Sequence, residues 1–119
     1  MAATYRNLAR GLGREHGRNA ASWCFDGNTT PERAQSVLKL LADGDPGVYD
    51  RIPSPDLSGQ WAGGMTPRRL AEEIGATDAC ERFDWLEDEI CTHYEEAFSA
   101  ASEQEFVRLA RFHSRKGTG

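Results

Sequence analysis

No run in this 119-residue chain approaches the ~18 consecutive apolar residues needed to cross a bilayer, so no membrane-spanning helix is expected. The opening MAATYRNLARGLGREHGRN lacks the apolar stretch of a secretory signal. It is rich in arginine and nearly free of acids, but its periodicity runs on into the domain and so reads as structure. Cysteine is scarce: Cys24, Cys80 and Cys91 are odd in number and have no close mates. That usage argues for free thiols in a reducing compartment, the cytoplasm. Neither Cys-x-x-Cys nor His-x-x-x-His occurs, and Cys91 and His93 lie about 200° apart on a helix. Cys80 and Cys91, read on one helix, lie ~16 Å apart along its axis, so no metal site is expected. Gly11-x-Gly13-x-x-x-Gly17 misses the dinucleotide spacing by one residue and follows no strand, so no cofactor is expected. Alternating strand patterns of useful length are also missing.

What is present is helical periodicity. Tyr5, Leu8, Leu12, His16, Ala20 and Trp23 recur at helical spacing over residues 3–25. Gly11, Gly13 and Gly17 weaken that helix by about 1 kcal/mol each relative to alanine, tolerable where another helix packs close to the backbone. Thr30-Pro31 reads as an N-cap with proline at the first helical position, opening a helix that stops at Gly44. Asp45-Pro46 caps a further short turn carrying Val48, Tyr49 and Ile52. Thr66-Pro67 repeats the capping device for a short helix closed by Gly75. Thr77-Asp78 starts the longest helix, with Phe83, Leu86, Ile90, Tyr94 and Ala97 on one face. Beyond Ala101 the apolar positions become Phe106, Leu109 and Phe112, displaced by roughly a quarter turn, which predicts a kink or break near 101–103. The expectation is an all-α, single-domain bundle of about four helices, with a Gly/Pro-rich loop over 53–65 and a flexible tail over 115–119. At this length such a domain buries roughly 65% of its unfolded surface. Because apolar residues make up only 39% of the chain, most of the aromatics are needed inside.

Charge is unevenly distributed. Residues 1–25 carry a net +3, residues 72–96 a net −9 and residues 106–119 a net +4, within a total of −5. Arg6, Arg10, Arg14 and Arg18 form a ridge that drifts only about 40° per step. Their planar donor forks suit phosphates and carboxylates alike. The ridge is either a docking surface for nucleic acid or an acidic protein, or a face paired internally with Glu81, Asp84, Asp88 and Glu95. The stretch LAEEIGATDACERF resembles the opening of a helix-turn-helix over residues 67–91. Glu81, however, stands where an apolar residue belongs, and residues 78–91 sum to −5, a charge that opposes phosphate contacts.

In DLSGQWAGGM (56–65), Trp61 is either an anchor that pins a long irregular loop to the core or a displayed hot spot. Tyr49 and Trp61 join the arginines, Asp84 and Asp88 as candidate interaction residues. The stretches GRNAASWCFDGNTTPERAQSVLKLLADGDPGVYD and PDLSGQWAGGMTP resemble a group of small proteins encoded by actinobacterial phages, plasmids and integrated elements, over about residues 13–112. That resemblance implies a genomic setting, in the cytoplasm of a bacterial host, rather than a chemistry, and from that setting a role against a host nucleic-acid or defence machine is expected. The expected function is non-enzymatic binding of another protein or a ribonucleoprotein through charged faces, with a homodimer as one arrangement. A nucleic-acid-binding regulator and a small enzyme are the alternatives.

Overall fold

A computed structural model describes residues 2–25, 29–52 and 66–115. Trp61 and the rest of the 53–65 loop lie outside these residues, as do 116–119 of the expected tail. Among the described residues there are five α-helices and no strand: α1 (Ala2–Ser22), α2 (Pro31–Ala42), α3 (Pro67–Glu73), α4 (Thr77–Arg82) and α5 (Asp84–Arg115). A 3-10 turn (Pro46–Arg51) follows α2. The all-α expectation holds.

Local chemistry sets most of the boundaries. The Thr30 and Thr66 side chains accept from the amides of Arg33 and Arg69, and a proline follows each cap. Each threonine thereby satisfies one of the amides that a helix start leaves without a partner. Asp45 caps the 3-10 turn by accepting from the Gly47 amide. Gly44 and Gly75 adopt φ of 75° and 73°, the left-handed conformation that ends α2 and α3.

α5 is the spine, 32 residues and about 48 Å long. α1 lies along it in parallel: Arg6 meets Glu89, Arg10 meets His93, and Gly17 meets Phe98 and Ser102. Two apolar clusters form on this spine. The first joins Ala9 and Ala20 of α1, Leu70 and Ala71 of α3, Ala76 and Ala79, and Leu86, Ile90, Tyr94 and Phe98 of α5. The second joins Ala21, Phe25, Val37 and Val48 to Phe106 and Ala110.

Two expectations about the long helix are corrected. It begins at Asp84, because Phe83 is extended (φ −127°, ψ 100°) and separates it from α4. That reversal lets α3 fold back along α5, where the Glu73 charge is felt at Tyr94. Its helical run is then unbroken through 101–103. Ser102 is buried there and its hydroxyl donates to the Ser99 carbonyl within the helix. The displaced apolar stripe is met by a change of partners, α2 and the 3-10 turn taking over from α3 and α4.

Several assignments to the apolar stripes also change. Phe83, Phe112, Trp23 and Leu8 are 45%, 51%, 69% and 47% exposed, not core residues. His113 takes the inward position that Phe112 was expected to fill, stacked on Phe25 with ring centroids 5.5 Å apart.

Candidate interaction surfaces

The direction in which each arginine of the ridge points follows from helix geometry. The buried face of α1 is centred on Ala9, Gly13, Gly17 and Ala20. Arg6 lies near the middle of that face, towards the start of the helix, and each later arginine turns about 40° further out. Arg6 Nε therefore sits 3.0 Å from Glu89 Oε1, an ion pair without an aligned hydrogen bond. Arg10 donates from Nε to His93 Nδ1 and from Nη2 to Glu96 Oε2, both at 2.9 Å. His93 Nε2 faces Glu89 Oε1 at 3.5 Å. Since Nδ1 accepts from Arg10, the neutral imidazole with its proton on Nε2 fits this chain of contacts.

Arg14 and Arg18 have turned out of the seam and are exposed. The ridge thus divides, two arginines clamping α1 to α5 and two facing outward. The clamp uses Glu89 and Glu96, not the expected Glu81, Asp84, Asp88 and Glu95. Those four acids are exposed. Partly exposed pairs of this kind contribute ~0.2–1 kcal/mol each, so the clamp fixes register more than stability.

The acids present a second surface. Glu81, Asp84 and Asp88 surround the α4–α5 junction, where Phe83 and Trp85 pack on each other with centroids 5.8 Å apart. Trp85 is 50% exposed. The sequence carries the acids plainly but hides the aromatic pair, because Phe83 falls on the apolar stripe of an uninterrupted helix. Tyr49, the other candidate aromatic, is half-buried with its ring edge against Phe106, centroids 5.9 Å apart.

The helix-turn-helix resemblance stops at the turn. α4 has six residues, and the segment that would read DNA is cut at Phe83.

Nucleophilic chemistry finds little support at the thiols. Cys80 and Cys91 lie on different helices and border the same apolar cluster, not three turns apart on one rod. Burial, then Glu87, raises the Cys80 thiol. Burial, followed by Glu87, Glu95, Asp88 and Cys80, pushes Cys91 up to about 12. Both therefore stay protonated at neutral pH, where the thiolate is the reactive form. Among the described residues no group of three or more His, Cys, Asp or Glu is placed to hold a metal ion. A depression of about 380 Å³ is lined by Thr66, Arg68, Arg69, Glu72 and Glu73 on the outer side of α3 and lies open to solvent. No described helix is long and apolar enough to cross a membrane.

The Cys91 shift has a measurable consequence. The fold favours the thiol form, so this contribution is complete below the ordinary value of 9.0 and is lost as pH rises toward 12. The buried Tyr94 hydroxyl, also raised by burial and Glu73, acts in the same direction above 10.0. The melting temperature should fall across this alkaline window, and less steeply for Cys91→Ala. Equal slopes would assign the loss to Tyr94 alone.

No protein-family model matches the chain, and no match to it was found among curated proteins or solved structures. The surfaces themselves carry the functional argument.

Proposed function

We propose that the protein is a non-enzymatic binding module that docks a basic protein surface onto the acidic face around the α4–α5 junction. The observation that carries this reading is the exposed Phe83–Trp85 pair set among Glu81, Asp84 and Asp88. Two large rings half-open to water are costly to leave uncovered, and a tryptophan with a charged rim is a frequent centre of binding energy. The rim fixes the sign of the partner. Residues 72–96 sum to −9, a charge that repels phosphate and attracts lysine and arginine. The sequence resemblance to actinobacterial phage and mobile-element proteins suggests a host nucleic-acid or defence machine as the source of such a basic surface.

A tagged protein incubated with actinobacterial lysate should retain one predominant partner at low salt. That partner should be released by Trp85→Ser and by Asp84→Lys with Asp88→Lys, while all variants melt like the parent. Retention that ignores the charge reversals and survives ~1 M salt, where the Debye length is about 3 Å, would place the contact elsewhere.

A further inference from the structure

We propose that the aromatic pair at the α4–α5 junction is an arginine-selective anchor, on which a guanidinium of the basic partner lies against Trp85 and is held by the carboxylates of Asp84 and Asp88. The anchor rests on the docking reading above and adds to it the side chain that the surface selects.

Local geometry brings the parts together. Phe83 is extended (φ −127°, ψ 100°) between the last turn of α4 and the first of α5. It thereby leaves the helical path, and its ring meets that of Trp85 two residues on, the planes inclined at 43°. The two rings are 45% and 50% exposed, and among the described residues neither touches a third aromatic. Asp88 follows Trp85 by three residues, the spacing that makes side chains neighbours on a helix surface. Asp84 stands between the two aromatics in the chain, and Glu81 adds an exposed carboxylate from the α4 side.

These acids differ from others nearby in having no cation of their own. Glu72, Glu73, Glu89 and Glu96 pair with Arg68, Arg69, Arg6 and Arg10. Glu81, Asp84 and Asp88 form no ion pair among the described residues. Arg82 is the one basic residue of 78–91, and among the described residues it makes neither an ion pair nor a ring contact. The cation that completes the site therefore comes from outside.

The combination of rings and carboxylates discriminates between occupants. A neutral apolar partner would cover the rings but strip water from the carboxylates without replacing it, which is costly. A lysine ammonium meets the charge, yet it is a compact and strongly hydrated point. A guanidinium meets both demands. Its flat face stacks on an indole, the ring that attracts cations best, while its edge N–H groups donate to carboxylate oxygens.

The test follows the indole N–H resonances of the full ¹⁵N-labelled chain, one for each of its three tryptophans, with Trp85 identified by its loss in Trp85→Phe. Two peptides of equal charge are titrated at low salt, one alternating glycine with arginine and one glycine with lysine. The arginine peptide is expected to move the Trp85 resonance and to bind about two- to fivefold tighter than the lysine peptide. Trp85→Leu keeps an apolar side chain but has no ring face, and should abolish the difference, whereas Trp85→Phe should keep part of it. Asp84→Asn with Asp88→Asn should weaken both peptides, and Arg82→Gln neither. The comparison of the two peptides on the parent chain stands without any variant. Equal affinities with Trp85 shifted by both would overturn the arginine anchor and leave the basic-surface docking in place. A Trp85 resonance moved by neither peptide would overturn both.

Discussion

Gly13→Ala and Gly17→Ala should each lower the melting temperature, whereas Gly11→Ala should raise it. All three substitutions remove a glycine from the interior of α1, and by helix propensity alone each gains about 1 kcal/mol. The neighbours decide the sign. A Cβ on Gly13 would overlap the Tyr94 carbonyl oxygen and lie 3.2 Å from the Ala97 Cβ. A Cβ on Gly17 would overlap the Phe98 carbonyl oxygen and lie 3.1 Å from the Ser102 amide nitrogen. These are mostly backbone atoms of α5 and cannot rotate away, so the two helices must separate along the seam that Arg6 and Arg10 clamp. Overpacking of this kind costs about 1–3 kcal/mol, and the upper end applies where backbone meets the new atom. At roughly 4 °C per kcal/mol, a fall approaching 10 °C is expected for each. Gly11 has nothing within 4 Å of its Cβ position and keeps the propensity gain. Thermal melts of the three variants side by side check this. A Gly17→Ala variant as stable as Gly11→Ala would mean that α1 does not approach α5 as described.

Features written in contiguous residues were legible in the sequence. Thr30-Pro31, Asp45-Pro46 and Thr66-Pro67 begin their elements where capping chemistry puts them, and Gly44 and Gly75 end theirs. The glycines of α1 signalled a close helix partner without identifying it. What escaped depends on contacts distant in sequence. Nothing near Phe83 marks a helix break, because the reversal is imposed by α3 returning to Tyr94. The expected break at 101–103 is absent because Val37, Val48 and Phe25 cover the rotated stripe around Phe106 and Ala110. The division of the arginine ridge was implicit in its 40° drift but needed the position of α5 to be seen. The exposed aromatics escaped for the same reason: Phe83 and Phe112 fit apolar periodicity, and only the tertiary fold shows that they are half-open to water.

Ile90→Asp should cost ~5 kcal/mol or more, against a total stability of about 5–15 kcal/mol for a domain of this kind. Ile90 is fully enclosed among Leu70, Ala71, Leu86 and Tyr94, at the point where α3 and α4 close over α5. The substitution forfeits about 2–3 kcal/mol of apolar burial and places a carboxyl group inside an apolar cluster. The surrounding acids deepen the loss, since Glu87, Glu95 and Asp88 already disfavour a charged thiol at the adjacent Cys91. A neutral aspartic acid is the form that would survive inside, so the defect should ease at acid pH and worsen toward neutrality. Phe83→Asp supplies the contrast. It introduces the same charge seven residues earlier, at a ring 45% exposed, and should shift stability by less than about 1 kcal/mol. Urea denaturation of the two variants with Ile90→Val, expected to lose only ~0.5–1.5 kcal/mol, checks the assignment. Should Phe83→Asp prove the more damaging variant, the α4–α5 junction would be a core element and its aromatic pair would cease to be a docking surface.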